Sequence, residues 1–273
     1  MRIVPPCVLV FAGADPSGGA GIAADVLAIA AQGAHALPVV TALTVQDNDR
    51  VFDVMPVDAD VVRRQAQALI DKVEIAAVKI GIPGSAANAR AIASLISDLK
   101  RRQPGLPVVL DPVLASGHGD TLSRGDAVQA LVPLLTLTTL LAPNLPEAAA
   151  LCGLANAADQ GDGDGNEHAR DLQGQAAHLQ ALGCTHVLVT GGHDTGESVI
   201  NRWFGPGEMQ QWRWPRLSGE FHGSGCTLAS AIAARLALGE PMALALERAQ
   251  AYCHQALVAA FPIAAGQSIP RRV

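Results

Sequence analysis

The feature that most constrains this chain is an alternation that runs almost from end to end. Short, unbroken apolar runs closed by glycine, proline or a polar residue are followed by stretches with helical spacing. Residues 7–12, 38–45, 76–81, 107–111, 138–142 and 186–190 are such runs. A strand covered on both faces reads as a continuous apolar segment, and joining parallel strands requires a crossover, usually a helix. Helices are expected over 22–31, 58–71, 85–101, 124–132, 146–152, 174–182 and 227–238, with one more ending near 261. Asp58 and Ser85 have the chemistry of helix caps. The pattern predicts an α/β fold with a mainly parallel, doubly wound sheet and helices on both faces. Residues 51–55 suggest a short edge strand. Residues 199–204 and 209–214 suggest a β-hairpin around Gly205-Pro206-Gly207, with Trp203, Trp212 and Trp214 packed in it. No repeat or linker interrupts the pattern, so residues 1–273 read as one domain.

In such sheets ligands bind beyond the carboxyl ends of the strands. Asp15, Gln46, Asp111, Asn144, Glu147 and His193 all follow strands in that way. The stretch Phe221-His222-Gly223-Ser224-Gly225-Cys226-Thr227-Leu228 leads small residues into a helix start. Backbone N–H groups without intrahelical partners, aided by the helix dipole, make an anion site there. The same potential is expected to lower the pKa of the Cys226 thiol. The alternative is an ordinary turn with a buried cysteine and a satisfied His222. Asn144 and Glu147, three apart at a strand-to-helix switch and joined by Asp111, offer hard oxygen ligands for Mg²⁺. They equally suit a helix cap.

Gly19-Ala20-Gly21-Ile22-Ala23-Ala24 fits the dinucleotide pattern G-x-G-x-x-[GA]. That fingerprint belongs in a tight turn directly after a strand, and here six residues intervene. A glycine loop around a small substrate is the preferred reading, with Asp25 able to accept a hydrogen bond one turn into the helix. A nicotinamide-dependent oxidoreductase is the competing class. No G-x-x-x-x-G-K-[ST] or G-x-S-x-G motif occurs. Residues 156–167 are acidic and glycine-rich and read as a mobile surface loop. Asp162, Asp164 and Asn166 alternate like a calcium loop, but Glu167 and Gln173 stand where Gly and Glu are required.

A net charge of −6 and the lack of a basic stripe argue against a nucleic-acid partner. Arg101-Arg102 and Arg271-Arg272 read as solvated surface. The five cysteines are odd in number and contain no CxxC pair, which argues against zinc and dithiol chemistry and for reduced thiols in the cytoplasm. Cys7, Cys152, Cys184 and Cys253 read as inert. The apolar run near the N-terminus is too short for a signal sequence or a membrane span.

Taken together the motifs resemble the ribokinase superfamily, and within it the hydroxymethylpyrimidine/phosphomethylpyrimidine kinases of thiamine biosynthesis. The matching pieces occur in family order: residues 12–22 with Asp25; Thr41-Ala42-Leu43 with Gln46; Lys79-Ile80-Gly81; residues 109–113; Pro143-Asn144-Leu145-Pro146-Glu147-Ala148; Gly191-Gly192-His193; and His222-Gly223-Ser224-Gly225-Cys226-Thr227. The resemblance implies a ribokinase-like fold with a small β-hairpin or flap. It implies two successive ATP- and Mg²⁺-dependent phosphorylations, first of a hydroxymethyl aminopyrimidine and then of its monophosphate. It places the pyrimidine against Gly13, Asp25, Gln46, Ile82 and Val113. Gly223, Ser224 and Gly225 would form the anion hole, with Cys226 where many relatives carry an aspartate base. The nucleotide and its metal fall to Asp111, Asn144, Glu147, Thr190, Gly192 and Thr227. A homodimer is implied. Thr190 stands where relatives often have Lys, and Ile82-Pro83 where Met-Leu is common. The segment between Arg216 and His222 looks slightly short for a flap. A pyridoxal or pyridoxine kinase, or a silent member that binds without turnover, would share much of this pattern.

Overall fold

The computed structural model describes residues 4–115, 127–153 and 165–273. The elements in chain order are β1 (Cys7–Ala14), α1 (Gly21–Ala31), β2 (His35–Gln46), β3 (Val51–Pro56), α2 (Ala59–Ile70), β4 (Ile75–Ile80), α3 (Ala86–Arg102) and β5 (Val108–Leu110). They continue with α4 (Ala127–Leu135), β6 (Leu140–Leu141), α5 (Leu145–Leu151), α6 (Gly165–Ala181) and β7 (His186–Val189). The hairpin β8 (Ser198–Gly205) and β9 (Glu208–Pro215) precedes α7 (Ser224–Ala237) and α8 (Met242–Val258).

Among the described residues one sheet holds the strands in the order β3-β2-β1-β4-β5-β6-β7-β8-β9. Pairing from β2 through β7 is parallel. Only β3 at one edge and the hairpin at the other are antiparallel. The order reverses at β1, whose neighbours are β2 and β4, so the carboxyl ends of β1 and β4 open a crevice. Side chains alternate across the sheet. Leu9 and Phe11 of β1 face the layer of α2, α3, α4, α5 and α6. Val8 and Val10 face the layer of α1, α7 and α8. Burying one such side chain contributes about 1.5–3 kcal/mol. The sheet is therefore fixed from both sides, and its ends are free to carry chemistry.

Local signals place several elements. Asp58 accepts the Asp60 N–H at 2.9 Å and starts α2. Ser85 accepts the Asn88 N–H at 3.2 Å and starts α3. Two helix starts differ from expectation by three residues or more. Helix α7 begins at Ser224 and not at residue 227, so Ser224, Gly225 and Cys226 are its first turn. Helix α6 begins at Gly165, so the end of the acidic stretch is helical. Its remainder, residues 156–164, lies outside the described residues, as does the start expected for α4 at 124–126.

Candidate active site

A cleft of about 590 Å³ opens at the carboxyl ends of the parallel strands. One wall is the entry to α7. Gly223 is its N-cap, in the left-handed region at φ 80°. A Cβ there would stand 2.1 Å from the Gly19 carbonyl oxygen, so the backbone requires glycine on two counts. The first-turn amides of α7 have no intrahelical acceptors, the geometry of an anion cradle. Ser224, Gly225 and Cys226 line the cleft. Thr227 does not. It is fully buried, and its backbone N–H and hydroxyl both donate to the Gly223 carbonyl, at 3.0 and 2.7 Å. The expected contact of Thr227 with a nucleotide is therefore corrected: the threonine holds the cap in place.

The loop before α1 packs against this turn. Asp15 gathers the loop by accepting from Ser17 N–H, the Ser17 hydroxyl and Ala20 N–H at 2.8, 2.9 and 2.6 Å. His222 Nε2 lies 2.9 Å from Asp15 Oδ2. Burial alone would raise the Asp15 pKa, but the bonds from His222, Ser17 and Ala20 override it and the net shift is downward. His222 is thus part of the wall and more than a histidine beside a turn.

Asp25 is also corrected. It has no exposed surface and does not line the cleft. Its carboxylate accepts both bonds from Lys79 Nζ, at 2.8 and 3.0 Å, and one from the Ser230 hydroxyl at 2.7 Å. For Lys79, burial favours the neutral amine, yet the Asp25 charge dominates and the net shift is upward. A fixed ammonium therefore stands at the cleft floor. Sequence reading placed Lys79 in a motif but gave it no role, although a lysine inside a buried strand demands a counter-ion.

Cys226, Asp111 and Glu147 share the cleft lining with Lys79. Burial pushes the Cys226 thiol up to about 12, against the pull of Lys79. Burial thus opposes the pull of the helix terminus on this thiol, which is part-exposed and lines the cleft. Burial raises Asp111 to about 6, with Lys79 opposing. Glu147 rises to about 8, first by burial and then by the Asp111 charge. Asp111 Oδ2 is buried without a hydrogen-bond partner. Asn144 and Glu147 form a capping box, with Glu147 N–H donating to Asn144 Oδ1 at 2.8 Å and Asn144 N–H to Glu147 Oε2 at 2.9 Å. The cap and the ligand readings are thus compatible. Two carboxylates short of positive charge, one with an orphaned oxygen, fit a divalent cation. Among the described residues no cluster of three or more acidic, His or Cys side chains forms a metal cage. A cation here would need further oxygens, as phosphates supply.

The remaining predicted residues line the same cleft. Gly13, Gln46, Ile82 and Val113 meet at one end, with Ile82 and Val113 packed on Ala42 and Val54. A Cβ on Gly13 would stand 2.8 Å from Ile82 Cδ1. Gln46 donates to the Thr44 hydroxyl at 2.8 Å. Thr190, Gly192 and His193 line the opposite end. Trp214 also reaches it, donating from Nε1 to Gln250 Oε1 at 3.3 Å, so this tryptophan is not confined to hairpin packing. Arg272 is a further correction. It is only 3% exposed, and its guanidinium bonds Thr227 and the Gly19 and Gly223 carbonyls beneath the cradle.

A glycine loop and an amide cradle at the switch point of a mainly parallel sheet define a kinase of the ribokinase-like fold. Residues 15–270 match the family described as phosphomethylpyrimidine kinase, and the chain belongs to that family. It is 36% identical to the hydroxymethylpyrimidine/phosphomethylpyrimidine kinase of Streptomyces coelicolor, over 97% of this chain and 93% of that protein. Among solved structures, an ADP complex of Bacillus subtilis pyridoxal kinase superposes with a TM-score of 0.84 at 26% identity, covering 98% of this chain and 97% of the other. Phosphomethylpyrimidine kinase of Clostridium difficile superposes with a TM-score of 0.75 at 28% identity, covering 92% and 99%.

Proposed function

We propose that this chain transfers the γ-phosphoryl group of ATP to the hydroxymethyl oxygen of 4-amino-5-hydroxymethyl-2-methylpyrimidine, and a second phosphoryl group to the monophosphate so formed. The observation that carries this reading is the order of parts along one cleft. A mainly apolar end (Gly13, Gln46, Ile82, Val113) is followed by the amide cradle of α7, and then by the Asp111, Asn144 and Glu147 end. In the first step the hydroxymethyl oxygen attacks the γ-phosphorus, the bond to the β,γ-bridging oxygen breaks, ADP leaves and the hydroxyl proton passes to solvent. In the second a phosphate oxygen of the monophosphate attacks a second ATP in the same way, with no hydroxyl proton to lose. The transition state is loose, so positioning and charge stabilisation do most of the work. The amides of residues 224–226 and the Lys79 ammonium face the transferring group. Cys226 enters as a neutral thiol lining the acceptor side. When bound, Mg²⁺ would neutralise charge on the leaving phosphates, with Asp111, Asn144 and Glu147 as its protein-side ligands.

The overlay with pyridoxal kinase favours a second acceptor, pyridoxal, at the same end of the cleft. Measuring kcat/KM for the pyrimidine, its monophosphate and pyridoxal with Mg-ATP decides between them. Preference for both pyrimidines supports the proposal, and turnover of pyridoxal alone rejects it. The whole chain would act as one kinase unit. The free cysteines suit a cytoplasmic setting. Leu43, Val45 and Met55 form an exposed apolar face on β2 and β3 that a second copy would cover. Light scattering at the monomer mass would remove that dimer.

A further inference from the structure

The proposed chemistry assigns no task to Arg272, which lies two residues beyond the stretch matched by the family. A buried arginine is costly unless its donors are met and its charge is used. Its donors here reach three acceptors on two separate segments. Nε donates to the Thr227 hydroxyl at 2.9 Å, and one terminal nitrogen to the Gly19 carbonyl at 2.5 Å and the Gly223 carbonyl at 3.3 Å. Gly19 belongs to the loop before α1, and Gly223 is the N-cap of α7. The two segments approach so closely that a Cβ on either glycine would clash with the other segment.

The arginine itself is held by its backbone. The Tyr252 hydroxyl donates to the Arg272 carbonyl at 2.9 Å, and Arg271 N–H to the Ala256 carbonyl at 2.9 Å, both on α8. Ile269 bridges to Phe261, and Ser268 to Phe221. The Asp15–His222 contact is a second tie between the same two segments. Of the two ties, only Arg272 grips the peptide carbonyls that set the direction of the following amides. It also places a positive charge behind the cradle. A fixed cation stabilises charge that develops in a transition state without reorganising.

We infer that Arg272 is a positioning residue for phosphoryl transfer: it clamps Gly19 to Gly223 and so aims the amides of residues 224–226 at the transferring group. This rests on the proposed function. The guanidinium touches neither the ring pocket nor the carboxylate end, so its loss should lower kcat and leave acceptor KM nearly unchanged.

The test uses the full chain carrying Arg272→Ala or Arg272→Lys, with folding followed by circular dichroism. The expected result for Arg272→Ala is a kcat lower by about 100-fold, with pyrimidine KM within about threefold, the scale of losing one preorganised donor. Added guanidinium ion at millimolar concentration should restore kcat by about tenfold, where sodium ion does not. Arg272→Lys keeps the charge but not the fork and should fall between. A kcat for Arg272→Ala within threefold of the parent overturns the inference. So does a loss that guanidinium cannot restore and that follows the melting temperature. Should Arg272→Ala not fold, parental kcat in Arg272→Lys overturns it equally. Parent turnover is measured first. A parent that phosphorylates no acceptor removes the functional reading, whereas an active parent matched by its variants removes only the role of Arg272.

Discussion

At the scale of single residues, the cleft shows how burial decides chemistry. Cys226 sits in the first turn of a helix, where a thiolate would be favoured, yet its thiol is pushed up to about 12 by desolvation. The consequence is measurable. A thiolate base would contribute about 10²–10⁴-fold, whereas a neutral lining thiol contributes little. Cys226→Ala is therefore expected to lower kcat by no more than about tenfold, with little change in pyrimidine KM. A loss of a thousandfold in steady-state assays would restore the base. Asp25 and Arg272 show the limit of reading residues in order. The motif around Asp25 was legible, but its partner Lys79 is 54 positions away and Ser230 is 205 away. Arg272 looked like a surface cation because its acceptors lie at Gly19 and Gly223. No local pattern encodes such pairings.

At the scale of elements, α7 carries the account. Its entry was visible as small residues before an apolar helix, but its first residue was not. Ser, Gly and Cys are indifferent or poor helix formers, and tertiary ties fix the turn they occupy. The strands and the caps at Asp58 and Ser85 were legible because their signals are local. The two glycines of the cradle give a sharp contrast. Gly223→Ala must adopt φ 80° and meets the Gly19 carbonyl at 2.1 Å. It is expected to cost about 2 kcal/mol or more in urea unfolding and to abolish most turnover. A Cβ on Gly225 meets only the Asp111 carboxylate, at 3.6 Å, so Gly225→Ala should fold with a melting temperature near that of the parent. Equal stability of the two variants would contradict the cradle geometry.

At the scale of the whole molecule, the cleft is assembled from segments distant in sequence. Asp15 and His222 are 207 positions apart, and their contact closes the glycine loop onto α7. The Asp15 pKa is depressed in the fold, so its contribution to stability is present above the unfolded value of about 3.9 and is lost as pH falls through the folded value. Asp15→Asn should therefore lower the melting temperature at pH 7 and converge with the parent below about pH 4. A constant difference across that range would show that the carboxylate charge is not what holds the loop. Fold class and the position of the site could be read from strand–helix alternation, because a switch point is a property of topology. The charge cluster beneath it could not, because it exists only once α1, β4, β5 and α7 are packed together.

The central claim is phosphoryl transfer from ATP in two steps, first to a hydroxymethyl group held over the start of α7 and then to the phosphate so formed. Following ³¹P resonances after mixing the protein with Mg-ATP and 4-amino-5-hydroxymethyl-2-methylpyrimidine tests it directly. The account predicts a phosphomonoester that appears first and is then consumed into a diphosphate as ADP accumulates. Release of inorganic phosphate with neither ester formed would contradict it.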